Sequence, residues 1–523
     1  MMESITINPI LGLRTDVPHN DSTLFVGAAS HCVDMANVDF NRIRNSANKT
    51  TGVTQYTISA NSQATRVLGL FELLGSSATD HIVFDNGKVF YVASNRAQTE
   101  IAAATPFTMG QTDASLINAI QYSDYILFTD RLGTTTPYKW KNGDANSTKL
   151  ILSGTEFKFR YLEKFQRRII GAYSDQTNGD IEIRWTDALP TWASLSFAAA
   201  NQLYKPGNDS ITGIKNFGSN ACFLYGSNSI DSIDYYANYT VPFAIRNLVS
   251  NQGCTGHHSI VDIGSVHYIF NKFYGFCAYA GGNDFPAGGK PISEKIENLI
   301  SGINPVYYPL IVGTFIPQKG EVCWAVPLNG ATYNNALLFY DIKTGNWRKK
   351  NVNAGYVDYW TLDTSLIWND LAALGYTYWT DFGQMRWSEL VASNPYVVHG
   401  NTAGHVYMDS GESNLGTAWD GYRIEPVMSL GNARSLLLEI WFALDVVGNY
   451  NLYVKHRSGD TIAECESAVW SDLNNVSCNT PQNAVCYLSE NARYHQIKWG
   501  TSGASEPFSV NAIEFKFVPQ GMY

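Results

Sequence analysis

"ALLFYDIKTGNWRKKNV", residues 336–352, holds the fold in miniature. An apolar run ends on Tyr340-Asp341, a polar stretch with Gly345 follows, and Trp347 opens a second run. Alternating aliphatic and aromatic side chains suit a pleated, half-buried surface. Asp341 can bond back to the backbone of the turn, and Gly345 can take a positive φ at no steric cost. Trp347 brings a large apolar ring to bury on the returning strand. The stretch is predicted to be a β-hairpin with Tyr340, Asp341, Gly345 and Trp347 as its structural anchors. The basic run that follows, Arg348-Lys349-Lys350, is too short for a phosphate-binding patch. Like Arg167-Arg168, it is expected to be a solvated strand end.

The pattern recurs. "HIVFDNGKVFYV" (81–92) is strand, Asp-Asn-Gly turn, strand, a strong hairpin signal. "AIQYSDYILFTD" (119–130), "RRIIGAYSD" (167–175) with "GDIEIRWTD" (179–187), "NACFLYGSNSIDSIDYY" (220–236) and "SVHYIFNKFYGFCAYAGG" (265–282) repeat it. So do "GEVCWAVPL" (320–328), "LGYTYWTDFGQMRW" (374–387) and "PYVVHGNTAGHVYMDSG" (395–411). The units return at intervals of roughly 40–50 residues, as propeller blades do. The Tyr-Asp, Gly, Trp hairpin is itself similar to the outer hairpin of a kelch-type blade.

The expected architecture is all-β: a β-propeller over residues 61–424, a C-terminal β-sandwich over 425–523, and an extended arm or closing strand over 1–60. Within the sandwich, "LLLEIWFALDVVG" (436–448) reads as a strand pair of a buried sheet, interrupted by Glu439 and Asp445. One short helix is expected near 293–302, capped by Ser293, with Ile296, Leu299 and Ile300 on one face.

Composition excludes more than it assigns. Only 16% of residues are charged and 13% are aromatic, which argues against a disordered chain or a helical bundle. The net charge of −10 argues against a protein that grips nucleic acid through basic patches. The N-terminus has no signal-peptide pattern, and no apolar run reaches the roughly 20 residues that span a bilayer. The eight cysteines show no zinc spacing and are expected as buried thiols, with Cys465, Cys478 and Cys486 near enough in sequence to leave pairing open. No nucleophile elbow, phosphate loop or zincin motif occurs, so no catalytic residue, cofactor or metal site is assigned. The best metal candidate is His257-His258 with His267. It is discounted because neighbours on a strand point to opposite faces.

Taken in order, these features resemble the tail hub or nozzle proteins of short-tailed bacteriophages, also called packaged-DNA stabilisation proteins. The resemblance rests on the opening "INPILGLRTDVPHND" with the Asn37-Val38-Asp39 step, on "ITGIKNFGSNACFLYGSNSIDSIDYY" (211–236) and on "KPISEKIENLI" (290–300). It also rests on "LLFYDIKTGNWRKKNV" (337–352) and on the ending "YHQIKWG" with "FSVNAIEFKF". It implies a structural virion protein without enzymatic activity or cofactor, made in the bacterial host cytoplasm and built into the virion tail. Six copies would form a ring beneath the portal and an adaptor, extend the DNA channel, retain the packaged genome and allow its ejection, and hold tail fibres, spikes or a needle. Double-stranded DNA would pass without tight binding. Two other readings fit the same residues: a glycan-active propeller of the sialidase or glycosidase type, and a kelch-like interaction propeller.

Overall fold

The computed structural model describes residues 2–520 except 42–44, 58–59, 61–65, 75–78, 86, 94–95, 102–114, 134–135, 145–146, 150–156, 189–196, 219–220, 238, 283–288, 363–393, 412, 431–432, 446–447 and 480–483. The expected hairpin at 374–387 lies outside the described residues.

The chain is all-β. Among the described residues, seven four-stranded antiparallel sheets follow one another along the sequence. Their first strands are Gly69–Leu74, Ile117–Tyr122, Phe159–Phe165, Ile211–Phe217, Val261–Asp262, Val312–Ile316 and Tyr356–Leu362. Each of these strands packs on the first strand of the next sheet, and that of the seventh packs back on that of the first. In the first six sheets the strands follow chain order. The seventh takes Tyr356–Leu362, Asn394–Gly400 and Val406–Met408 and is completed from the N-terminal region by Thr54–Gln55.

The remaining strands form two larger sheets. One contains Val485–Ala492, Ser435–Leu444, Ser509–Pro519, Ser46–Lys49, Val38–Asn41 and Glu3–Ile7. The other contains Asn451–Gly459, Tyr494–Thr501, Gly421–Ile424 and Asp34–Ala36, with three short strands at 428–429, 471–472 and 476–477. Leu437, Ile440, Phe515 and Phe517 from the first sheet and Val454, Ile497, Trp499 and Met35 from the second belong to one buried core. Within residues 1–60, expected as an arm or closing strand, Thr54–Gln55 closes the seventh sheet, and other strands of the segment join the two larger sheets. Glu3–Ile7 pairs along the last strand of the chain, and Asp34–Ala36 pairs with Gly421–Ile424. The segment expected as a strand pair at 436–448 instead contains one ten-residue strand, Ser435–Leu444, because Glu439 sits at a bulge rather than in a turn.

The helix is shorter than expected: a 3₁₀ turn, Glu294–Ile296, runs into Glu297–Ser301. Ser293 does not cap it. Its hydroxyl accepts from the Phe276 amide at 2.9 Å and donates to the Tyr274 carbonyl, pinning the helix to the fifth sheet. Ile296 and Ile300 are buried and Leu299 packs at the edge of the same core, as their spacing predicted.

Inside the two-sheet body one ion pair is fully dry. Arg423 and Glu425 are both 0% exposed and lie 2.7 Å apart. Arg423 also donates to the carbonyls of Leu11 and Ser30, and Glu425 accepts from Ser30 Oγ and Trp499 Nε1. These bonds hold the N-terminal segment against the C-terminal strands. Removing one partner of such a pair strands the other charge, at a cost of about 3–5 kcal/mol. Arg423→Met is expected to lower the thermal unfolding midpoint sharply, and Arg423→Met with Glu425→Gln to recover most of the loss. A double variant no better than the single one would contradict this.

Candidate functional site

The hairpin at 336–351 forms as predicted, with strands Ala336–Asp341 and Trp347–Asn351 paired from Tyr340↔Trp347 to Ala336↔Asn351. Asp341 Oδ1 accepts from the amides of Lys343 (2.9 Å) and Thr344 (3.2 Å), and Gly345 has φ +68°. Trp347 is 1% exposed. Its ring lies 5.0 Å from Tyr340, 5.5 Å from Phe276 and 5.8 Å from Trp324 between ring centres, and its Nε1 donates to the Ile292 carbonyl at 2.9 Å. One side chain thus touches the fifth sheet, the sixth sheet and the segment leading into the helix. The N-terminal segment presses on its backbone: the Leu13 amide donates to the Trp347 carbonyl at 2.7 Å. A Cβ at Gly12 would stand 2.4 Å from that oxygen, so only glycine fits there.

The basic run is not a solvated strand end. Arg348 is 4% and Lys350 0% exposed. Arg348 Nη2 meets Glu321 at 2.6 Å, its Nε lies 3.3 Å from Asp39, and its guanidinium stacks on Phe339. Lys349 reaches Asp34 at 3.1 Å. Lys350 reaches Asp409 at 2.8 Å and donates to the Gly52 carbonyl. Lys319 also pairs with Asp39. Burial by itself would raise the Asp39 carboxyl, but Arg348 and Lys319 outweigh it and hold the group well below the usual carboxylate range. The strand 347–351 is therefore a latch. Trp347 supplies its apolar side, and the cations tie it to the two-sheet body through Asp34 and Asp39 and to the seventh sheet through Asp409. Sequence reading missed these partners because they lie 27 to 315 residues away.

The histidines sit elsewhere than expected. His257 and His258 lie on a 3₁₀ turn, His257–Ser259, not on a strand. The turn stands where first strands of several sheets converge. His257 Nε2 is 2.7 Å from Asn118 Nδ2 and its ring stacks on Tyr161. His258 Nε2 donates to the Ile117 carbonyl at 3.0 Å, and its ring meets Tyr356 edge-on. The Ser259 carbonyl accepts from Trp324 Nε1. Burial keeps both imidazoles neutral, His258 down to about 4. His267 is held by Tyr225 and the Asn216 carbonyl, and burial takes it to about 4 as well. Among the described residues no cluster of His, Cys, Asp and Glu could hold a metal, and the eight cysteines are unpaired and buried. Beside the turn remains a cavity of about 120 Å³ lined by Phe71, Asn118, Lys215, His257, His258 and Tyr356 among others.

A second charged junction lies between the seventh and first sheets. Asp358 Oδ1 accepts from the Tyr359 amide and Oδ2 from Trp360 Nε1, while Glu72 accepts from the Thr361 amide at 2.6 Å. Burial pushes the Asp358 carboxyl up to about 7 against those donors, and the charge of Glu72 adds to the rise.

No family model matches the chain, and no curated protein matches it. Among solved structures, the chain is similar to the extracellular domain of a hybrid two-component system from B. thetaiotaomicron. Identity is 10% and the TM-score 0.41, over 79% of this chain and 45% of that one. The chain thus spans less than half the length of that relative.

Two predictions follow from this geometry. Trp347→Ala should destabilise the chain by about 3–5 kcal/mol through the cavity it leaves; an unchanged calorimetric melt would refute its anchoring role. Asp358 holds a proton more tightly folded than unfolded, so its contribution is full near pH 4 and is lost as pH rises through about 7. For this half-buried group the loss amounts to roughly 2–4 kcal/mol. Asp358→Asn should flatten the fall in melting temperature between pH 5 and pH 8; a parallel fall in the variant would show that another group is responsible.

Proposed function

We propose that this chain is a structural virion protein, a subunit of a tail hub or nozzle, whose seven small sheets are the blades of a β-propeller. The two larger sheets would be the sandwich that braces it. The reading comes from the ordered sequence resemblance. One structural observation supports it: the turn at 257–259 occupies the place where the first strands meet, with His257 and His258 bonded to the second sheet and Trp324 bonded to Ser259. A body filled at its centre cannot pass DNA through itself. A channel would then be walled by several copies, and a heterologous interface that closes on itself builds such a ring. The adaptor, the tail appendages and passage of DNA without tight binding belong to the same proposal.

The glycosidase reading requires two carboxylates facing a substrate. The described residues that line the central cavity include Lys215 and two histidines but no Asp or Glu. This favours a wall subunit over a hydrolase. The decisive measurement is copy number in the particle that contains the chain, by symmetry-free reconstruction of its tail. Six copies around the tail axis are expected; a single copy on the axis, or absence from the tail, would overturn the reading.

A further inference from the structure

One turn presents two neighbouring aromatic side chains at the surface on a fixed backbone. The turn between the strands His267–Asn271 and Gly275–Tyr279 presents Phe273 at 63% and Tyr274 at 39% exposure. Exposed aromatics on a loose loop need no explanation, but this turn is locked. Asn271 is fully buried, and its Oδ1 accepts from the amides of both Phe273 (2.7 Å) and Tyr274 (3.1 Å). Its Nδ2 donates to the Gly253 carbonyl at 2.8 Å. Gly275 ends the turn at φ +67°, where a Cβ would meet Ser293 Oγ at 2.5 Å. The backbone thus holds two large apolar rings toward water, at a hydration cost that folding alone does not recover.

Across from the turn lies the helix 294–301. Between them is a cleft of about 290 Å³ whose lining includes Phe273, Tyr274 and Tyr308, the acidic Glu294 and Glu297, and one cation, Lys272. Both glutamates are exposed, and neither forms an ion pair or hydrogen bond among the described residues. The latch shows the opposite habit, since Asp34, Asp39, Glu321 and Asp409 are all matched by cations. The ring face of Phe273 already receives a cation, with Lys272 Nζ 4.8 Å from its centre.

We propose that this cleft docks an arginine- or lysine-bearing loop of a partner protein. The chemistry is complementary on both counts. Aromatic faces carry negative charge density and attract guanidinium or ammonium groups, and two unmatched carboxylates supply the countercharge and steer the encounter. A long basic side chain also lays an apolar stem against the rings. A rigid aromatic platform spends little entropy on binding. The proposal stands independently of any ring or channel.

The test is isothermal titration of the full chain with the peptide acetyl-(Gly-Arg)₃-amide. Saturable one-to-one binding is expected. Glu294→Gln with Glu297→Gln should weaken it at least tenfold, and Phe273→Ser about fivefold. The charge-matched control Asp124→Asn with Glu490→Gln, at exposed positions elsewhere, should leave it unchanged. All these side chains are at the surface, so unchanged melting curves verify that each variant is folded. Absent binding, equal weakening by the control pair, or indifference to Phe273→Ser would each overturn the proposal. So would Phe273-dependent binding of a neutral oligosaccharide such as maltohexaose without binding of the peptide.

Discussion

Three consecutive cations on one strand cannot be buried without partners, and the arrangement of this molecule follows from satisfying them. Stripping a charge of water costs several kcal/mol unless a counter-ion and hydrogen bonds replace it. Arg348 and Lys350 are both in the dry interior, and their counter-ions come from different places. Glu321 belongs to the same sheet, Asp39 to the two-sheet body, and Asp409 follows the third strand of the seventh sheet. Arg348 and Lys350 can be dry only when all three regions are in place together. The other side of the strand makes the same demand in apolar form, because the environment of Trp347 is assembled from the fifth and sixth sheets. Packing and charge thus require the same docking.

The junction between the seventh and first sheets has another solution. There Glu72 accepts a backbone amide from across the junction and Asp358 accepts from Trp360 and Tyr359, with burial pushing the Asp358 carboxyl up to about 7. One junction is tied by ion pairs. The other weakens as Asp358 ionises. The seam is also where the chain's own N-terminal region, through Thr54–Gln55, completes the last sheet. Its cohesion therefore draws on strand pairing contributed from more than 300 residues away in sequence.

The first strands of several sheets approach the 3₁₀ turn 257–259, where His257 Nε2 meets Asn118 and His258 Nε2 donates to the Ile117 carbonyl, while the buried His258 Nδ1 has no hydrogen-bond partner among the described residues. At the periphery, the turn at 272–274 is fixed by Asn271, which accepts from the amides of both Phe273 and Tyr274.

Much of the fold was legible locally. Alternation, turn chemistry and Trp347 are short-range properties, and the hairpin at 336–351 formed with Asp341 and Gly345 in the roles their chemistry suggests. The all-β class follows from the same signals repeated. The destination of each strand was not legible. A strand's sequence records which face is apolar but not which distant strand pairs with it. Hence residues 1–60 read only as an arm or closing strand, with nothing local to show that Glu3–Ile7 pairs with residues 513–517 and Thr54–Gln55 with residues 407–408. The basic run looked solvated because lysine and arginine are rarely buried unless paired, and its partners are distant carboxylates with nothing local to mark them. The histidine pair was placed on a strand when the chain there makes a 3₁₀ turn. The sequence by itself determined the hairpins, because their geometry depends on neighbours a few residues apart. Only the tertiary structure decided which charges meet, because burial and counter-ions are properties of the assembled neighbourhood.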